Sequence, residues 1–205
     1  MKTISQGCLL AVVLFLSSCT SNTKIISSWR DPAVSIQASG MKKVWVMCLV
    51  QNESTRRTAE DFMAQRRPGV IFPTYERYPS EIMKDHAELI NEGIAKSGYE
   101  AIIIMRLVSK DQATSYVPGT SPSYYGGWHG YYGYAATYYY DPGYYRTDEF
   151  YNVETNVYSL TNDKLLWTGM TETMNPGTVQ SAIREIADAI SQQMRKEGFL
   201  VEAAK

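Results

Sequence analysis

Cysteine, histidine and closely spaced charges are the side chains of this 205-residue chain that could do chemistry. Cys48 sits in Val44-Trp45-Val46-Met47-Cys48-Leu49-Val50, an unbroken apolar run. A nucleophilic thiolate needs an electropositive, partly exposed setting. The run offers neither, so Cys48 reads as a small buried hydrophobe. His86 follows Asp85, and His129 lies between Trp128 and Gly130. Zinc takes three or four ligands from Cys, His or carboxylate, and two separated histidines with one spare thiol do not supply them. No Gly-x-Ser-x-Gly elbow is present. No phosphate-binding glycine loop follows the first apolar run, which leads straight into Gln51-Asn52-Glu53-Ser54. Glu60 and Asp61 are neighbours on a predicted helix and point in different directions, which suits a solvated face better than an acid/base pair. Arg56, Arg57, Arg66 and Arg67 read as the same solvated face, paired with Glu53, Glu60 and Asp61, with a basic binding patch as the alternative. The expectation is a protein that is not an enzyme and uses no cofactor or metal.

One cysteine does stand in a chemical context. Lys2 gives residues 1–18 a positive start, Gly7 to Leu16 is an apolar run, and Leu16-Ser17-Ser18 brings small residues up to Cys19. Charged start, short apolar core and small-residue cleavage site read as a secretory signal. The run falls short of the roughly 20 apolar residues that span a bilayer. The tetrapeptide ending at Cys19 resembles the lipobox of bacterial lipoproteins. That resemblance implies a diacylglyceryl group on the Cys19 thiol and a further acyl chain on its amine. Two or more chains anchor stably where one does so only marginally. The expected mature chain starts at Cys19 and holds 19 Lys plus Arg against 21 Asp plus Glu, since only Lys2 of the 20 in the full chain is removed. That balance gives no reason to expect nucleic acid as a partner. With Cys8 removed and Cys19 acylated, Cys48 has no internal disulfide partner.

Positioning elements can be read along the chain. Thr20 to Ser28 is rich in Ser, Thr and Asn and reads as a tether, although Ile25, Ile26 and Trp29 could dock as an edge strand. Residues 19–42 are thus expected to be a lipid-anchored tether and lead-in, and 43–205 one α/β domain. Residues 43–50 form a strand apolar on both faces and so central in a sheet. Asn52 caps a helix over 53–67. Val70-Ile71-Phe72 is a short strand that Pro73 ends, which suggests an edge. Ser80 caps a helix with the stripe Met83, Ala87, Ile90 and Ile94. Ala101 to Met105 is a second central strand. Tyr151, Val153, Thr155 and Val157 alternate with polar residues in a half-buried strand. Thr161-Asn162-Asp163 turns it into a partner over Lys164 to Met174. Pro176 opens the last helix, whose stripe is Val179, Ile183, Ile186, Ile190 and Met194.

The order is β-α-β-α-β-β-β-α. Helical crossovers make the first three strands parallel, so the expected fold is an α/β sandwich. It has one mixed sheet of about five strands, in spatial order 2-1-3 with the hairpin beyond strand 3, backed by three helices.

Residues 111–147 interrupt this pattern. Between Lys110 and Asp141 only Asp111 is charged, and twelve of the chain's 16 tyrosines fall between Tyr116 and Tyr151, interleaved with glycine. The segment reads as a long Tyr/Gly-rich insertion. Tyrosine and tryptophan rings stack on sugars and are enriched at binding surfaces. Tyr124, Tyr125, Trp128, Tyr131 and Tyr132 are therefore the candidate binding residues. A loop with no role in binding is the alternative.

The lipobox, Ser27-Ser28-Trp29-Arg30-Asp31-Pro32, Lys43-Val44-Trp45-Val46, Asn52 to Asp61 and Leu165-Leu166-Trp167-Thr168-Gly169 together resemble a family of small bacterial lipoproteins of unknown function. The resemblance implies a fold like the amino-terminal domain of the Tol-system β-propeller protein and brings no catalytic residues. Trp29 beside Pro32 is expected to pack the start of the domain against the core. The functional expectation is an envelope lipoprotein, an accessory or scaffold module that binds another envelope protein. The alternative is a glycan- or peptidoglycan-binding module using the Tyr/Gly-rich segment. Thr20-Ser21 lacks the Asp that retains enterobacterial lipoproteins in the inner membrane, which implies the outer membrane, facing the periplasm.

Overall fold

A computed structural model describes residues 21–33, 40–119, 128–129, 131–133, 136 and 143–200. The secretory signal, Cys19, Tyr124 and Tyr125 lie outside these residues. The sheet has six strands: β1 (Thr23–Arg30), β2 (Val44–Leu49), β3 (Ile71–Pro73), β4 (Ala101–Val117), β5 (Tyr144–Ser159) and β6 (Lys164–Met174). Their order is β1-β6-β5-β4-β2-β3. β2 pairs in parallel with β3 and β4, and the remaining pairs are antiparallel. The expected parallel trio and the hairpin beyond it are both present, with one strand more than expected.

Helices α1 (Glu53–Arg66) and α4 (Val179–Lys196) cover one face of the sheet, and α2 (Ser80–Asp85) and α3 (Ala87–Ala95) the other. β2 is apolar on both sides because both are buried. Val44, Val46 and Cys48 meet Ala59, Met63, Ile183 and Ile186, while Trp45 and Met47 meet Tyr78, Ile90 and Ile94. The helix expected from Ser80 is split at His86, whose φ of −133° and ψ of 44° leave the helical region. The last helix starts three residues after Pro176. Asn175 turns the chain in the left-handed region, and Thr178 caps α4 in a reciprocal capping box with Ser181.

The extra strand corrects the tether. Thr23 to Arg30 pairs with β6 from Thr173 to Trp167, with a bulge between Ile25 and Ser27. The folded domain therefore begins twenty residues before the expected start at residue 43. Serine and threonine hide this strand in the sequence, but their hydroxyls find partners: Thr23 Oγ1 lies 2.8 Å from Thr173 Oγ1. The Trp-Arg-Asp-Pro motif also works differently from expectation. Trp29 keeps 47% of its surface exposed, whereas the Arg30 guanidinium donates to the Glu197 carbonyl. The Glu197 carboxylate accepts from Ser28, Gln193 and Trp167. Burial would raise this carboxyl, but those three donors together hold it below its usual range. Strand, hairpin and last helix are stitched at one point.

The Trp167 ring, fully buried, lies over Gly169. A Cβ added there would meet the ring at 2.2 Å, which explains the glycine in Leu-Leu-Trp-Thr-Gly. Gly169→Ala is expected to destabilise by about 1–3 kcal/mol, the range for forced overpacking. Urea unfolding would read this, and an unchanged midpoint would show that the ring can move aside.

The insertion is also smaller than expected. β4 runs to Val117 and β5 starts at Tyr144, in continuous register through Val117↔Tyr144. Only 118–143 lies between the strands. β2 stops at Leu49↔Arg106 and β6 at Phe150↔Met174. Among the described residues, 112–117 and 144–149 therefore pair in a ladder only with each other and extend past the sheet as a two-stranded arm.

Candidate functional site

The four arginines of the expected basic face do not act together. Arg56 is 1% exposed and Glu60 is 0% exposed. Charged residues are almost never this buried unless paired, and here each is. Arg56 Nε donates to Glu60 Oε1 at 2.9 Å, and its other nitrogens reach Ser80 Oγ, Thr74 Oγ1 and the Tyr78 carbonyl. Glu60 also accepts from the backbone N–H of Cys48 at 3.0 Å and of Tyr75 at 2.8 Å, and from the Thr74 hydroxyl. The pair ties α1 to the end of β2 and to the segment after β3. Arg57 pairs outside with Glu53, and Arg66 with Asp188. The solvated-face reading thus holds for Arg57 and fails for Arg56 and Glu60, whose partners lie far apart in sequence.

Cys48 is buried as expected. Burial first, and then the nearby Glu60 carboxylate, pushes its thiol far above the ordinary value, so little thiolate forms at neutral pH. Among the described residues, no group of three or more His, Cys, Asp or Glu is placed to hold a metal ion.

Where β2 ends, the first turns of α1 and α4 stand apart and open a cleft of about 770 Å³. Cys48 and Met105 form its floor together with Leu107, Tyr151 and Val153 of the two long strands, and α4 walls it with Val179, Ala182, Ile183 and Ile186. The size lies within the roughly 300–1,000 Å³ of ligand pockets, and the lining is as apolar as such sites are. Leu49, Leu107 and Val179 at its mouth stay exposed. The cleft sits at the carboxyl end of β2, beside the parallel strand β4, and the carboxyl ends of parallel strands are the usual place for binding crevices in α/β sheets. Sequence reasoning missed it because its residues come from separate elements. Its one local signal was Val179, an apolar stripe residue in the first turn of α4 that covers no core.

The tyrosine-rich segment meets the same end of the molecule. β4 is parallel to β2, and β6 is parallel to β4 because β5 opposes both. The carboxyl ends of β2, β4 and β6 therefore share one end of the sheet. The arm leaves from that end. β1 opposes β6, so it starts there too: the Met174 N–H donates to the Asn22 carbonyl, and the Asn22 N–H to Glu185. On the arm, Thr114 faces Thr147 at 3.1 Å, and the Tyr116 and Tyr145 rings lie 5.3 Å apart. Of the candidate binding residues, Trp128, Tyr131 and Tyr132 are described, and they are 70%, 60% and 66% exposed. The Trp128 ring packs on His129. No described helix is long and apolar enough to cross a membrane.

No protein-family profile matches the chain, and no curated protein does. Among solved structures, the chain is similar to a PelC dodecamer from Paraburkholderia phytofirmans. The identity is 11%, the match covers 82% of this chain and 95% of the other, and the TM-score is 0.43. It is also similar to lipoprotein GNA1162 from Neisseria meningitidis, at 9% identity, covering 75% and 98%, with a TM-score of 0.41. Both are likenesses of overall shape at low identity.

Proposed function

We propose that this chain is a lipid-anchored envelope protein that performs no catalysis and acts by binding another envelope protein in the cleft between α1 and α4. The observation that carries the reading is the cleft's mouth: Leu49, Leu107 and Val179 are exposed around an opening of about 770 Å³ at one end of the core. Apolar rims around a pre-formed crevice mark interaction sites on soluble domains. The groups that could have served acid/base or nucleophilic chemistry support the non-enzymatic reading. Arg56 and Glu60 satisfy one another out of reach of solvent, and the Cys48 thiol is held in its neutral form. The sequence around Cys19 supports the anchor and, by resemblance, the outer membrane.

Crosslinking in cells tests the reading. Leu107→Glu with Val179→Glu adds two charges to the mouth without touching the buried core. The expected result is at least a tenfold loss of crosslinked partner with the unfolding midpoint nearly unchanged. An unaltered set of crosslinks would sink the cleft as the docking site.

A further inference from the structure

We propose that the β4–β5 arm is a membrane-interface element, its tyrosine and tryptophan rings seated in the headgroup layer of the bilayer that holds the Cys19 lipid. The inference rests on the anchor reading above and follows from lengths and directions. Asn22 is fixed to Met174 and Glu185 at the end of the sheet from which the arm departs. Cys19 precedes Asn22 by three residue steps, so the acylated residue lies within about 10–11 Å of that end even with the chain fully extended. The arm carries six further residue pairs past the last rung of β6, from Gln112↔Glu149 to Val117↔Tyr144. At about 3.4 Å per residue it reaches roughly 20 Å. The arm outruns the tether about twofold. With the lipid in the bilayer, the arm's outer part meets the membrane surface.

The arm's chemistry fits this placement. Tyrosine and tryptophan concentrate at membrane–water interfaces because one part of each ring is apolar and the other hydrogen-bonds water. Tyr144 and Tyr145 are exposed on the ribbon, and Trp128, Tyr131 and Tyr132 are exposed in the segment it carries. Charge thins out in the same direction. Residues 112–140 hold no Asp, Glu, Lys or Arg, and the two nearest charges on β5, Arg146 and Asp148, neutralise each other at 2.8 Å. A peptidoglycan platform would be expected away from the anchoring bilayer, whereas the arm leaves from the end of the sheet at which β1, and with it the anchor, begins. Lipid chains and an interfacial patch together form the two-signal anchor that holds more firmly than one signal, and they also fix which way the cleft faces.

The test uses the mature acylated protein in phosphatidylethanolamine/phosphatidylglycerol vesicles whose acyl chains are brominated. Trp128 emission is obtained as the difference between the parent and Trp128→Phe. The expected result is quenching of that emission by at least half by brominated lipid, with little quenching by aqueous iodide. Tyr132→Trp in the Trp128→Phe background is expected to behave alike. Both positions quenched by iodide and untouched by bromine would overturn the proposal. So would binding to isolated sacculi that is lost on Trp128→Ser/Tyr132→Ser, if bromine quenching is absent. Labelling with a fatty-acid probe reads the anchor separately. Label without bromine quenching removes the arm's role alone, bromine quenching without label removes the anchor alone, and neither signal removes both.

Discussion

Glu60→Leu is expected to lower the free energy of unfolding by about 3–5 kcal/mol, the penalty for leaving one member of a buried ion pair without the other. The substitution nearly conserves volume, so the loss is electrostatic. Arg56, 1% exposed, would keep Ser80, Thr74 and the Tyr78 carbonyl but lose its one buried counter-charge, leaving only the partly exposed Glu53 carboxylate at 3.8 Å. The Cys48 and Tyr75 N–H groups would also lose their acceptor. Against a typical total of about 5–15 kcal/mol, that is a large fraction of the fold. Arg56→Met added to Glu60→Leu removes the stranded cation, and the double variant is expected to be more stable than Glu60→Leu alone. It is still expected to fall short of the parent, because two backbone donors stay unpaired at about 1–3 kcal/mol each. Urea titration of the parent, the Arg56→Met and Glu60→Leu single variants and the double variant closes the cycle. A Glu60→Leu protein within 1 kcal/mol of the parent would show that water reaches the site.

Cys19→Ser is expected to abolish labelling by a fatty-acid probe and to release the chain from the membrane fraction or leave it unprocessed. The hydroxyl of serine cannot form the thioether, and without it neither the diacylglyceryl group nor the later amide-linked chain is added. Each acyl methylene in the bilayer contributes about 0.8 kcal/mol of anchoring, so losing every chain removes far more than an interfacial arm can replace. Unchanged labelling and retention would end the lipoprotein reading.

How much was legible in the sequence depended on burial. Where one face of an element meets the core, its period showed. The α4 stripe Ile183, Ile186, Ile190 and Met194 is buried, and Thr155 and Val157 of β5 point inward as their alternation required. β2, covered on both sides, showed as a continuous apolar run. The arm was not legible because both its faces meet water, so 112–117 carries no apolar alternation and merged with the tyrosine-rich segment. β1 was ambiguous because its pairing uses hydroxyls. Arg56 and Glu60 were misread because charged side chains are normally solvated, and their exception is created by Thr74, Tyr75 and Ser80, which only the fold brings near. The cleft left no pattern of its own, being a gap between two helix starts.

Thr23 pairs with Thr173 across 150 residues of chain, and Ser28 reaches Glu197 across 169. A polypeptide that emerges amino terminus first presents β1 at the outset, yet the strand and helix that complete it come last. Contacts this distant in sequence make folding slow, and until they form an unpaired strand stays open to association with other chains. The sheet can close only after the whole polypeptide has cleared the exit. During that interval the protein depends on whatever holds unfolded chains apart, and its yield should be more sensitive to loss of such a holding factor than to modest changes in final stability.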